Sequence, residues 1–153
     1  MHELIGTEID KLGSEVNLYF CTGEGITPEL HAFFERQVAL IIEKGYASVD
    51  YLPDLVQIKA KVIYVTIDNE IAAHIIWRWE SPEKVYIILT AISDKYEKRG
   101  LYAIMHRYYE DRIKKGGAIF SKSFLHIHNK RIIDISRKNG YTVELIKMSK
   151  KLQ

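Results

Sequence analysis

A chain of 153 residues with 47% hydrophobic and 27% charged side chains has the composition of a globular protein, and its net charge of +2 sets no strong overall field. No stretch approaches the roughly 18 consecutive apolar residues of a membrane span. The acidic start MHELIGTEID lacks the composition of a secretory signal, and Cys21, standing alone, rules out an intramolecular disulfide. The expectation is a single domain over residues 1–153, cytoplasmic, with no membrane partner.

In chain order, a first strand leads into TPELHAFFERQVALIIEKG, which reads as a helix. Thr27 can cap it, Pro28 occupies its first position, Gly45 can end it, and Leu30, Phe33, Phe34, Val38 and Ile41 share one face. KVIYVTIDNEIAAHIIWRW reads as a hairpin turning at Asp68-Asn69. SPEK is a second turn, and VYIILTAI is an apolar run expected to be buried on both faces. LYAIMHRYYEDRIKKGG is a helix with Leu101, Ile104, Met105 and Tyr108 on its inner face, stopped by Gly116 and Gly117. AIFSKSFLHIH is a strand, NKRIIDISRKNG a short helix ended by Gly140, and YTVELIKMSKKL a closing strand.

The order is therefore strand, helix, three antiparallel strands, helix, strand, helix, strand. Strand–helix–strand passages require parallel pairing, so the fold class is α/β: a mixed, mostly antiparallel sheet flanked by helices, with one parallel pair.

Charge is distributed unevenly. Residues 1–35 hold seven acidic side chains against Lys11 alone, and residues 95–153 hold fifteen Lys or Arg against five acidic residues. A basic half attracts anionic ligands, although a solvated basic surface reads the same way. Aromatic residues do not interleave with the basic ones as on a single-strand nucleic-acid platform, which makes nucleic acid a minor candidate.

The stretch SDKYEKRGLY, Ser93 to Tyr102, joins a strand to a helix. Unpaired N–H groups at a helix start favour an anion, Gly100 would let backbone approach a phosphate, and Lys98 and Arg99 would add charge. One glycine before a helix is commonplace, so these residues by themselves read more readily as an ordinary charged turn.

From about Val62 to Leu152 the chain resembles the GNAT superfamily of acyl-coenzyme A-dependent N-acyltransferases. In YIILTAISDKYEKRGLYAIM, Ala91 and Ile92 match the end of that family's fourth strand, Tyr96 its usual aromatic residue, and Gly100 the first glycine of Arg/Gln-x-x-Gly-x-Gly/Ala. HNKRIIDISRKNGY resembles a second signature, with Asn129, Ile132, Gly140 and Tyr141 in step, and the Met- and Lys-containing close resembles the family's last strand. The resemblance implies an N-acyltransferase moving an acetyl or other acyl group directly from acetyl-CoA or another acyl-CoA to an amine, with no metal and with a homodimer allowed. The thioester carbonyl would bond near Ala91 and Ile92, where the parallel pair splays apart. The phosphates would lie on Lys98, Arg99, Gly100, Leu101 and Tyr102, with Asn129 contributing from the second signature. Three departures leave open a GNAT-fold binding module without catalysis: Glu97 replaces the motif's Arg or Gln, Tyr102 its last small residue, and Ser136 a frequent tyrosine acid.

Two candidate catalytic residues, Ser136 and Tyr86, follow from the same resemblance, and His126 from its residue type and position. Ser136 is too weak an acid to replace the tyrosine directly but could position a water. Tyr86 falls where some members carry a base; it shapes an acceptor pocket better than it takes a proton. His126, with His128, has the reference pKa for proton transfer, yet paired polar groups near a strand end also explain it. His74 reads as a satisfied, partly buried core histidine, Glu80 as an exposed strand-end carboxylate and Cys21 as inert packing. The His-Ile-His pair lacks further ligands at metal spacing, so no metal is expected. The acidic amino-terminal part hints at a cationic acceptor.

Overall fold

Alternating β-branched and aromatic residues build the sheet outward from a central hairpin. The computed structural model describes residues 1–47, 52–125 and 129–144. Strands β3 (Lys61–Ile67) and β4 (Glu70–Ser81) pair antiparallel through Asp68 and Asn69, both at positive φ (51° and 63°). A tight turn of this hand needs left-handed residues at both positions, and Asp and Asn tolerate that conformation better than most. A second short turn at Pro82-Glu83 sends β5 (Lys84–Ile92) back antiparallel to β4.

Two strands, not one, precede the first helix. β1 (Glu3–Ile9) and β2 (Glu15–Thr22) form a hairpin that adds to β3 through β2. β1 is an edge strand with Leu4 and Ile9 exposed, so it lacks the apolar alternation that would have marked it as a separate strand. Helix α1 (Pro28–Glu43) begins as read: the Thr27 hydroxyl accepts the Leu30 N–H at 3.3 Å, and Gly45 follows its end at φ +75°. Its buried residues are Leu30, Phe33, Phe34, Gln37 and Val38. Each large apolar side chain so buried contributes about 1.5–3 kcal/mol relative to exposure.

Helix α2 (Leu101–Lys115) carries the chain to β6 (Phe120–Ser123), which lies parallel to β5, and α3 (Lys130–Lys138) follows. The sheet has the order β1-β2-β3-β4-β5-β6, and β5–β6 is its single parallel pair among the described residues. The expected mixed α/β class is observed. Cores form on both faces. Val16, Leu18, Ile63, Val65, Ile75, Trp77 and Val85 pack with Leu101, Met105, Tyr109 and Ile113 of α2, whereas Cys21, Val62 and Ile76 pack with Leu30, Phe34 and Val38 of α1.

Three expectations need correction. β5 is not buried on both faces: Val85, Ile87 and Ala91 are buried, while Tyr86, Ile88, Leu89 and Thr90 are half-buried. Its position next to the short β6, near the sheet edge, leaves the second face incompletely covered. On α2 the expected Leu101 and Met105 are buried, but Ile104 and Tyr108 are only partly buried, and the buried stripe widens instead to Tyr102, His106, Tyr109 and Ile113. Tyr141–Glu144 form no strand; the remainder of the expected closing strand, and the His126–His128 end of the strand before it, lie outside the described residues. No helix among the described residues is long and apolar enough to cross a membrane.

Candidate functional site

The site is built where β5 outlasts its parallel neighbour. Among the described residues, paired rungs run from Lys84–Phe120 to Ile87–Ser123, where β6 ends, whereas β5 continues to Ile92. Directly beyond the last rung β5 carries a bulge: Trp77 pairs with Ile87 and Ile76 with Leu89, leaving Ile88 as the extra residue. A bulge bends its strand and re-aims the side chains that follow. Here Ile88 and Leu89 both pack against the core under α1.

Past the bulge, Ala91 pairs with His74 and Ile92 with Ala73, and the Ser93 N–H donates to the Ala72 carbonyl at 2.8 Å. A short 3₁₀ turn, Asp94–Tyr96, is anchored by the buried Tyr96, whose hydroxyl donates to Glu70 at 2.7 Å; Lys95 reaches the same carboxylate at 2.6 Å. The chain then passes through Lys98 at φ +60° and Gly100 at φ +79°, ψ 15°. Gly100 is the residue before α2, and no side chain caps the helix. The first N–H groups of a helix have no intrahelical acceptor, and the helix dipole makes that end attractive to an anion.

The charges around this turn are arranged differently from what the sequence implies. Arg99 points away toward the β1–β2 turn, donating to Asp10 at 3.2 Å and to the Ser14 hydroxyl at 3.4 Å. The Asp10 side chain is fully buried in this contact and also accepts the N–H groups of Leu12 and Ser14, each at 2.9 Å. Burial pushes the Asp10 carboxyl up, but the N–H groups of Ser14 and Leu12 and the Arg99 guanidinium outweigh it, so the carboxyl sits below its ordinary range. The Lys11 N–H donates to the Arg99 carbonyl at 3.1 Å, and the Lys11 stem lies against the α-carbon of Gly100, its Cε 3.2 Å from where a β-carbon would stand. Lys98 is exposed. Glu97 is met by Arg131 of α3 at 2.7 Å, not by its neighbours Lys98 and Arg99.

Of the three catalytic candidates, two can be placed. Tyr86 is half-buried on β5, with the Arg78 guanidinium 5.4 Å from its ring centre and the Phe124 ring 5.2 Å away. Ser136 lies on α3 beside Tyr102. Burial raises the Tyr102 phenol above its ordinary pKa, and the Ser136 hydroxyl partly offsets that. His126 lies outside the described residues. Asn129 occupies the position before α3 without a side-chain capping bond. Leu101 and Tyr102 turn their side chains into the core, which leaves only their backbone to meet a ligand at the turn.

A polar network that the sequence did not reveal lies behind the turn. His106 is buried, its ring stacked on Tyr102 (5.2 Å, 11°), with Nε2 3.2 Å from Glu110 and 3.4 Å from the Tyr141 hydroxyl. Tyr141 contacts Ser121 at 2.6 Å, and Ser121 contacts Tyr109 at 2.7 Å. The hydroxyl contacts that link α2, β6 and Tyr141 join residues 12, 20 and 35 positions apart in sequence, which no local pattern encodes. Burial lowers the His106 pKa against the opposing pull of Glu110 and raises that of Tyr141 to about 12.

His74 corrects a further expectation. It is fully buried against Phe33 and Phe34, and neither ring nitrogen has a hydrogen-bond partner among the described residues. Burial drives its pKa down to about 4, so it is neutral and too weak a base to take up a proton at neutral pH. Cys21 is buried and free, its thiol pushed up to about 11 by burial. No cluster of three or more metal-ligating side chains occurs among the described residues. A separate cavity of about 820 Å³ opens beside α1, with Glu24, His31, Glu35 and Asp54 in its wall; it shares no residue with the β5–α2 turn.

At the level of sequence, no family model and no curated protein matches the chain. Solved structures do match. The GNAT domain of PAT from S. lividans superposes with a TM-score of 0.69 at 16% identity, over 90% of this chain and 87% of that chain. The chain has the GNAT fold. An aminoglycoside acetyltransferase from an uncultured soil metagenomic sample, in complex with sisomicin, is similar with a TM-score of 0.65 at 12% identity, over 90% and 97% of the two chains. A ribosomal-protein-alanine N-acetyltransferase from Brucella melitensis biovar Abortus 2308 gives 0.64 at 8% identity, over 90% and 99%. Within the GNAT fold, the extended end of β5 and the glycine turn into α2 occupy the segment that the phosphate signature selected.

Proposed function

We propose that residues 1–153 act as one acyltransferase domain that moves an acetyl or other acyl group from acyl-coenzyme A to an amine, a reading supported by structural neighbours that are named as acetyltransferases. The observation that carries this reading is the continuation of β5 past the last β5–β6 rung into a left-handed glycine at the uncapped start of α2. In this reading the pyrophosphate lies on the backbone N–H groups after Gly100, with Lys98 nearby. The pantetheine arm runs beside the end of β5, and the thioester carbonyl accepts a backbone hydrogen bond toward Ala91 and Ile92.

The acceptor nitrogen attacks the thioester carbon in its neutral form, the C–S bond breaks, the nitrogen gives up a proton to water and the sulfur leaves as coenzyme A thiolate, which is then protonated. Holding the two reactants together supplies up to about 7–11 kcal/mol of barrier lowering in well-oriented systems, so a direct transfer does not depend on a strong base. The backbone donor at the strand end stabilises the developing oxyanion. Tyr86, with Arg78 over its ring, fits a wall of the acceptor pocket better than a proton carrier.

Calorimetric titration with acetyl-CoA and with free coenzyme A, at two salt concentrations, tests the reading. One site per chain with micromolar affinity supports it; absence of binding to both overturns it. Binding without acyl transfer to any amine in a broad screen would assign the protein to the alternative, a cofactor-holding module without catalysis, which the buried Tyr102 at the motif's small-residue position favours.

A further inference from the structure

We propose that Arg131 is the side chain that meets the coenzyme A pyrophosphate, and that Glu97 is its counter-ion while the site is empty. This rests on the cofactor reading above and names the residue that reading lacks.

The argument starts from which cations can reach the turn. Arg99, adjacent to Gly100 in sequence, is already committed: its guanidinium bonds to the buried Asp10 carboxylate and to Ser14 of the β1–β2 turn. Removing it from Asp10 would strand a buried carboxylate, which is strongly unfavourable. Lys95 is held by Glu70 at 2.6 Å. Lys98 and Lys11 remain, both exposed, with the Lys11 stem laid across Gly100. Neither offers the planar fork that binds two phosphate oxygens at once.

Arg131 offers that fork and is positioned to use it. It stands in the first turn of α3, yet its Nη1 contacts Glu97 at 2.7 Å, three residues before Gly100. Both side chains are partly exposed, 54% for Arg131 and 32% for Glu97. An ion pair of this exposure is worth little, so a doubly charged pyrophosphate displaces the carboxylate at small cost. The guanidinium then turns from Glu97 to the phosphates, a movement of one side chain with both helices in place.

The same pair explains why a carboxylate is tolerated where it would oppose an anion. Glu97 is the counter-ion of Arg131 in the empty protein, 2.7 Å from its guanidinium. Its cost is competition: the bound pyrophosphate must replace it and sit near an unpaired carboxylate.

The experiment is calorimetry of the full chain and of R131Q, R131K and E97Q with free coenzyme A and with 3′-dephospho-coenzyme A. R131Q is expected to bind about ten-fold more weakly, the size of one lost hydrogen-bonded charge contact. R131K recovers part of the loss, and E97Q binds about three-fold more tightly because the competitor is gone. The R131Q loss persists with the dephospho compound if the contact is to the pyrophosphate; its disappearance there would move Arg131 to the 3′-phosphate and overturn the assignment. Equal affinity of wild type and R131Q, or weaker binding by E97Q, also overturns it while leaving the cofactor reading intact. No binding of either compound to the wild type overturns the cofactor reading and this inference with it. Circular dichroism of the variants should be unchanged, since both side chains are at the surface.

Discussion

Arg99 and Asp10, 89 positions apart in sequence, form an ion pair at 3.2 Å that ties the start of α2 to the β1–β2 turn. The carboxylate is fully buried and holds two backbone N–H groups besides, so the pair fixes both turns at once. Asp10→Ala removes the acceptor for all of these donors. The expected loss is about 3 kcal/mol, in the range for breaking a buried pair by removing one partner, measured by urea unfolding at neutral pH.

The pH dependence of that effect has a definite sign. The folded Asp10 carboxyl lies below its unfolded value, so its contribution is present above the unfolded pKa and is lost as pH falls through the folded one. The difference in stability between wild type and the variant should therefore shrink below about pH 4, the ordinary aspartate value. A difference that stays constant down to pH 2 would mean that the charge on Asp10 contributes nothing.

Gly100→Asp tests the phosphate turn itself. Gly100 stands at φ +79°, and a side chain there also meets the Lys11 stem at 3.2 Å, a flexible neighbour that can move aside. The left-handed conformation costs a non-glycine residue about 1–2 kcal/mol, somewhat less for Asp, so the fold should survive with a slightly lower melting temperature. Coenzyme A binding should fall at least about ten-fold, because the new carboxylate faces the anion. Unchanged affinity in the folded variant would remove the turn from the cofactor site.

These two turns mark what the sequence could and could not convey. Gly100, the Asp68-Asn69 hairpin and the Thr27-Pro28 helix start were legible because each is a local requirement of backbone geometry, written within a few residues. The partners of Arg99 and Glu97 were not, because Asp10 and Arg131 reach them through the tertiary fold. The His106–Tyr141–Ser121–Tyr109 network was hidden for the same reason. β5 misled for a different one: its uninterrupted apolar run reads as a central strand, but the short β6 beside it leaves half of that surface only partly covered.

Cys21 should be chemically silent in the folded protein. With its thiol at about 11 and its side chain buried, the thiolate fraction at pH 8 is on the order of one in a thousand, and access is blocked as well. Alkylation by iodoacetamide should go to completion in denaturant and be at least about 100-fold slower without it. Rapid native labelling would place Cys21 in a far more open environment.

His74 gives the sharpest stability test. Its ring lies among Phe33 and Phe34 with both nitrogens unpartnered among the described residues, so the neutral form already pays a desolvation penalty and the cation is excluded. Replacing it with Leu removes two buried polar atoms and keeps an apolar side chain of similar size. The expected result at pH 8 is a variant at least as stable as wild type, by about 1 kcal/mol or more if the site repacks well. The folded pKa of about 4 lies below the ordinary 6.5, so the unfolded chain binds a proton between those values that the folded chain refuses. Stability contributed by neutral His74 is therefore full above pH 6.5 and is lost as pH falls toward 4, on the order of 3 kcal/mol over the window. His106, also depressed by burial, acts in the same direction and remains in the variant, so only the difference between wild type and H74L reports His74. That difference should widen in favour of H74L from pH 7 to pH 4.5 in parallel urea titrations. A constant difference would show that His74 finds a partner that stabilises its cation.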